Sequence, residues 1–190
     1  MEKISEKLLR LALSDYSSRR GFALEKADVL TLPLVRKPGE KPFFADLPQL
    51  HFSVSHSFYF WACAMDSSPV GLDLEVPSLR WGEDAPARKE KLSRRFFTAT
   101  ENAYLEEHPE EFFDLWVRKE AYLKLTGQGI SGGLSSVELV EDGRVLDFSN
   151  GIWFAGVDLD PEIRAACCKS REFQVEEILP LHLDEVDLHE

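Results

Sequence analysis

Asp73 and Glu75 stand one residue apart in VGLDLE (70–75), an otherwise apolar run. Side chains alternate along a strand, so the two carboxylates share one face about 7 Å apart, with Leu72 and Leu74 on the other. Carboxylates so placed repel each other unless water solvates them or a cation lies between them. A hard divalent ion with oxygen ligands, such as Mg²⁺, suits the pair. An exposed face at a sheet edge is the other reading. GVDLD (156–160) nearly repeats the pattern, but Asp160-Pro161-Glu162 reads as a hairpin turn, whose carboxylates serve solvent and turn geometry.

Glu120 lies in EEFFDLWVRKEAYLKLTG (110–127), where Phe113, Trp116, Glu120 and Leu123 fall on one helical stripe. A carboxylate among Phe, Trp and Leu is partly buried and needs a partner. Lys124, one turn on, could be that partner. Alternatively Glu120 points at the same cation as Asp73 and Glu75, or acts as a base. Lys119 and Lys124 then flank a site suited to a phosphate group on a metal. His56, beside Ser55 and Ser57 in HFSVSHS, ends a strand candidate and could donate to an anion. Lys41 precedes a proline in a loop and could reach the same anion. Arg88, Lys89, Lys91, Arg94 and Arg95 form a basic stretch, RKEKLSRR (88–95).

These residues need elements to hold them. Ile4, Leu8, Leu11 and Leu13 give residues 2–16 an amphipathic helical pattern, closed by a turn at Gly21. VLTLPLVRKPGEKPFF (29–44) is extended or loop. HFSVSHS alternates as a strand, and the apolar run SFYFWACAM (57–65) reads as a buried strand. A turn at 66–69 then predicts an antiparallel hairpin with VGLDLE. Residues 84–96 read as a basic helix. Two helices divided near His108-Pro109 follow, with a Thr98/Glu101 capping box and a stop at Gly127. VELVEDGRVLDF, turning at Asp142-Gly143, and IWFAGVDLDPEIRAACCK are hairpins. The order helix, strands, helices, strands indicates α+β. FWACAM and IRAACC hint at a repeat of two related halves.

The composition narrows the function class. The 190 residues are 44% hydrophobic and 29% charged, which suits one domain or two halves sharing a core. No apolar run reaches the roughly 20 residues of a membrane span, and the N-terminus lacks a signal-peptide layout. Three cysteines without CxxC spacing indicate buried free thiols and a cytoplasmic protein. A net charge of −12 argues against nucleic acid as a partner, and the acidic end DEVDLHE reads as a solvated tail.

Taken in order, KP (41–42), FSVSHS (52–57), GLDLE (71–75), FF-TATE (96–101) and WVRKEAYLK (116–124) resemble the motifs of the phosphopantetheinyl transferases, most nearly the surfactin or Sfp type. The pattern W-x-x-K-E-[AS]-x-x-K is met at every fixed position, and the likeness runs from about residue 8 to about 180. The resemblance implies two pseudo-symmetric α+β halves, 1–78 (shortened) and 79–190, with coenzyme A in the cleft between them. It implies Mg²⁺-dependent transfer of the phosphopantetheine arm of coenzyme A to a serine of an apo carrier protein, releasing adenosine 3′,5′-bisphosphate. The carrier could serve fatty-acid, polyketide or nonribosomal peptide synthesis.

On matching positions, Asp73, Glu75 and Glu120 become the metal ligands and Glu120 also the base. Lys124 steadies the pyrophosphate and assists the leaving group. Lys119, His56, Ser55 and Lys41 become phosphate contacts. Glu101 matches a carboxylate near the site, with the helix cap as its other role. The basic stretch becomes a dock for acidic carriers, or else an ordinary solvated helix face. A monomer is expected. Members of this type usually carry several tens more residues before the matching part, and a glycine where Glu40 stands here. Arg10, Arg19 and Arg20 are candidates to replace the missing coenzyme contacts. Two rivals remain: a non-catalytic carrier-binding homologue, and a Mg²⁺-dependent phosphohydrolase using the same carboxylates.

Overall fold

The computed structural model describes residues 2–20, 24, 26–80, 85–127 and 133–180. The turn expected at Gly21 and the acidic tail lie outside the described residues. In chain order the elements are α1 (Glu2–Arg20), α2 (Lys26–Thr31), β1 (Leu34–Val35), β2 (Phe43–Phe44), β3 (His51–Ser57), β4 (Phe60–Asp66), β5 (Gly71–Glu75), α3 (Pro77–Arg80), α4 (Ala85–Phe96), α5 (Ala99–Glu107), α6 (Phe112–Thr126), β6 (Val140–Glu141), β7 (Arg144–Val145), β8 (Phe148–Ser149), β9 (Ile152–Gly156) and β10 (Arg164–Lys169). The fold is α+β, as the order of sequence patterns indicates.

The first helix buries Leu8, Leu9, Leu13 and Ser17, while Ile4 stays exposed. Its inward face is therefore rotated from the stripe read in the sequence, because Leu9 and Leu13 pack on Phe44, Leu50 and Phe52 in a first core. Arg10 ties α1 to α2 by donating to the carbonyls of Val29 and Leu32 at 2.7 and 3.0 Å. Those carbonyls lie at the C-terminal end of α2, where helical partners run out. This short helix runs into the start of the stretch read as extended or loop.

The hairpin expected between the 57–65 run and VGLDLE does not form. β3 instead pairs antiparallel with β4, from His51 opposite Asp66 to Ser57 opposite Phe60. The turn falls at Phe58 and Tyr59, with Phe58 at φ 53°, so the apolar run is cut in two. Aromatic residues at these turn positions, where Asn-Gly is usual, hid the hairpin. β4 is only half-buried rather than buried. β5 goes elsewhere: it pairs antiparallel with β10, Gly71 opposite Cys168 and Glu75 opposite Arg164, in the sheet β5-β10-β9-β8. The strand placed in the first half thus hydrogen-bonds into the sheet of the second. The Asp142-Gly143 and β9–β10 hairpins form as read. A further tight turn at Asn150-Gly151, both with positive φ, joins β8 to β9.

Helix α6 lies across that sheet and centres the larger core, with Leu115, Val117, Ala121 and Leu123 against Phe154, Ala166 and Cys168. Its capping signals hold. Thr98 and Glu101 form the capping box of α5, and Gly127 closes α6 at φ 71°. β5 passes so close to α6 that a Cβ at Gly71 would sit 2.0 Å from the Ala121 carbonyl oxygen. Only glycine fits there.

Candidate active site

β3 and β5 meet where the N-terminal hairpin abuts the larger sheet. Among the described residues they share no main-chain ladder. Serine hydroxyls bridge them instead. The amides of Leu72, Leu74 and Val76 donate to the Oγ atoms of Ser53, Ser55 and Ser57 at 3.0, 3.2 and 3.4 Å. The register advances the same way on both strands, so they run parallel. An ion pair between Lys169 and Asp66 links β10 to the end of β4.

Asp73 and Glu75 project from β5 on the same side as Gly71, the side that meets α6. Both are buried, at 6% and 3% exposure, so the exposed-edge reading of the pair falls. Asp73 Oδ1 accepts from Ser55 Oγ at 2.8 Å and from Lys124 Nζ at 2.7 Å. Glu75 Oε2 accepts from Ser57 Oγ at 3.0 Å. Burial pushes the Asp73 carboxyl above the usual range, and Lys124 and Ser55 offset part of that rise. The Lys124 ammonium also donates to the Val54 carbonyl at 3.2 Å. Lys41 lies close by: its chain approaches Gly127 and its ammonium donates to the Val70 carbonyl at 2.8 Å. Burial lowers its pKa, with Lys124 adding to the effect. Buried carboxylates and two lysines therefore gather where β3, β5 and the C-terminal half of α6 converge, and half-buried Glu120 precedes Lys124 by about one turn of that helix.

A model of the 4'-phosphopantetheinyl transferase superfamily matches residues 69–149, from just before β5 to the end of β8. The chain is 31% identical over 178 residues to the 4'-phosphopantetheinyl transferase Sfp of Bacillus subtilis (strain 168), covering 88% of this chain and 75% of that one. The chain belongs to the 4'-phosphopantetheinyl transferase superfamily. A transferase of Bacillus pumilus is 37% identical over 149 residues, which are 73% of this chain and 60% of that relative. HetI of Nostoc sp. is 41% identical over 88 residues, 43% of this chain and 35% of that one. These likenesses place the chain with the Sfp type.

Within this transferase the residues singled out by sequence divide. Asp73, Glu75, Lys124 and Lys41 come together as described. Ser55 is there too, with its proton committed to Asp73. His56 is exposed, and alternation along β3 puts it on the opposite face from Ser55 and Ser57. Lys119 departs most. Its side chain is wholly buried, donating to the carbonyls of Leu134 and Val137 at 2.7 and 2.8 Å and pairing with Glu101 at 2.8 Å. Three protons thus have three partners in the core, and a lysine so placed is an anchor for α6 rather than a reach toward phosphate. Burial lowers its pKa, and Glu101 opposes the shift. Glu101 is equally committed, since its other oxygen accepts from the Leu139 amide at 2.9 Å. Arg10, Arg19 and Arg20, expected near coenzyme, pair with Glu6, with Asp15 and Glu177, and with Glu176. The thiols are free, with Cys167 and Cys168 buried and Cys63 half-buried. Burial pushes Cys167 up to about 12.

Two features escaped the sequence reading. Ser57 stands in the sequence as a neighbour of His56, and its two-residue spacing from Ser55 matches that of Asp73 and Glu75. His108, Glu110 and Glu111 bring their ligand atoms within 4.8 Å of one another at the α5–α6 junction. Asp73, Glu75 and Glu120 do not converge that tightly among the described residues.

Proposed function

We propose that this transferase moves the phosphopantetheine arm of coenzyme A onto a serine hydroxyl of an apo carrier protein, with Asp73, Glu75 and Glu120 as ligands for Mg²⁺. The carrying observation is the pair of buried carboxylates on β5 facing the Lys124 side of α6. Two buried carboxylates on one strand form an all-oxygen donor set, which suits a hard cation. Mg²⁺ commonly takes one or two protein carboxylates and completes its shell with water and substrate phosphate. A set that does not close on itself is compatible with that habit. Bound there, Mg²⁺ would neutralise pyrophosphate charge.

The chain's own groups then have these roles. Glu120 accepts the proton of the carrier serine, a weak nucleophile without a base. The serine oxygen bonds to the phosphorus that carries the pantetheine arm. The bond to the bridging oxygen breaks, and adenosine 3′,5′-bisphosphate leaves. Lys124 steadies the pyrophosphate and supplies the leaving phosphate with a proton; its position against Asp73 supports this. Lys41 adds positive charge from the 41–42 loop, and Ser55 orients Asp73. His56 is assigned to a more distant part of the coenzyme, from its exposed place at the end of β3. Lys119 is left out, because its burial commits it to the core.

Arg88, Lys91, Arg94 and Arg95 are exposed on α4 and form the proposed dock for an acidic carrier. Lys89 is diverted, with its ammonium 4.7 Å from the centre of the Phe113 ring. Action in the cytoplasm, as a monomer, belongs to the same proposal. No helix among the described residues is long and apolar enough to cross a membrane.

The test is to incubate the protein with coenzyme A, Mg²⁺ and an apo carrier and weigh the carrier. A gain of the arm's mass is expected. Carrier binding without a gain would make the chain a binding homologue, and release of free phosphate a hydrolase.

A further inference from the structure

The carboxylates of β5 are held by hydroxyls, and one hydroxyl belongs to a residue with no role so far. Ser53, Ser55 and Ser57 occupy alternate positions of β3 and are 4%, 4% and 3% exposed. Each accepts an amide proton from β5. A hydroxyl has a single proton of its own to give. Ser55 gives it to Asp73 and Ser57 gives it to Glu75. The register is constant, so the counterpart of Ser53 is Gly71, which has no side chain to receive it.

We propose that Ser57 is a positioning residue for the transfer reaction: its hydroxyl, held by the Val76 amide, fixes the orientation of the Glu75 carboxylate before metal and coenzyme arrive. The proposal rests on Glu75 being a metal ligand. A glutamate has three side-chain torsions to set. Tying Oε2 to a hydroxyl that is itself anchored on strand backbone removes that freedom in advance. Ser57 is also the last residue of β3, and Phe58 follows at φ 53°, so the chain turns away directly after the hydroxyl that holds Glu75. Ser53 provides an internal control, because it makes the same kind of amide bond but faces no carboxylate.

The experiment compares Ser57→Ala with Ser53→Ala. Melting temperature reports the loss of the strand bridge. Mn²⁺ binding is followed by paramagnetic resonance with coenzyme A present and no carrier, so nothing turns over. Both variants are expected to lower the melting temperature by similar amounts. Ser57→Ala weakens Mn²⁺ binding about 10- to 100-fold, the usual range for an outer-shell partner of a metal ligand. Ser53→Ala leaves the affinity near that of the unsubstituted protein. Equal Mn²⁺ affinities for the two variants would overturn the proposal. If Ser57→Ala does not fold, Ser57→Cys replaces it; its thiol is a weak donor, and the same weakening is expected. Failure of the unsubstituted protein to bind Mn²⁺ with coenzyme A would instead remove the metal reading itself.

Discussion

GLDLE at 71–75 and GVDLD at 156–160 are nearly the same words with opposite fates. Asp73 and Glu75 are buried between a serine-bearing strand and a helix. Asp158 and Asp160 are exposed, and Asp160 Oδ1 accepts from the Glu162 amide at 2.9 Å in a turn. The difference lies in what covers each strand end. β5 has β3 beside it and α6 on its face. β9 gives way after Gly156 to the connection that leads back to β10. A D-x-[DE] pattern thus becomes chemistry only where neighbouring elements supply donors and exclude water.

The comparison breaks most decisively at the proposed base. Glu120→Gln should lower transfer about 10²- to 10⁴-fold, the range of general-base catalysis, while the protein stays folded. Asp73→Ala should remove Mg²⁺-dependent activity, while Asp158→Ala, a surface change, should leave rate and stability near their starting values. A carrier-mass assay on all three checks this; equal silence of Asp73→Ala and Asp158→Ala would end the contrast.

A second contrast lies within α6. Lys119→Ala strands Glu101 in the core and should cost about 3–5 kcal/mol in denaturant unfolding. Lys124→Ala should spare most of the stability and lose transfer. Charge reversal on α4 is a smaller effect: Arg88→Glu with Lys91→Glu should raise the carrier KM several-fold and leave the coenzyme KM alone. An unchanged carrier KM removes α4 as the dock.

The smallest effect concerns pH. Burial holds the folded Asp73 carboxyl above its unfolded value, so its ionised form is destabilising in the metal-free protein. Asp73→Asn should therefore raise the melting temperature once the pH is above that raised value. The gain should vanish below the unfolded carboxyl titration. Melting curves from acid to neutral pH, with chelator present, would show it; a gain independent of pH would refute the cause.

Helix α1, the α5 capping box, the Gly127 stop and the β9–β10 hairpin were legible because local patterns dictate them. The partner of β5 was not. Its ladder to β10 joins residues about half the chain apart, and the nearby apolar run imitated a hairpin partner. Asp73, Glu75, Lys124 and Lys41 could be chosen from their types and order. Lys119 could not be separated from Lys124 by type. Five residues along a helix amount to 500° of rotation, which sends one lysine to the core and the other toward β5. Ser57 was visible as a letter, but its value depended on a side-chain bridge between strands, which no local pattern encodes.

Gly71 sets a calibration for the whole site. With the Ala121 carbonyl filling the space a side chain would take, strand and helix rest against each other backbone to backbone. No side-chain volume lies between them to be enlarged or trimmed, so the spacing from the β5 carboxylates to the α6 residues has a hard stop. Adjusting this enzyme to a bulkier carrier or a modified coenzyme should therefore proceed through the outer loops and α4, while the reaction centre keeps a fixed gauge.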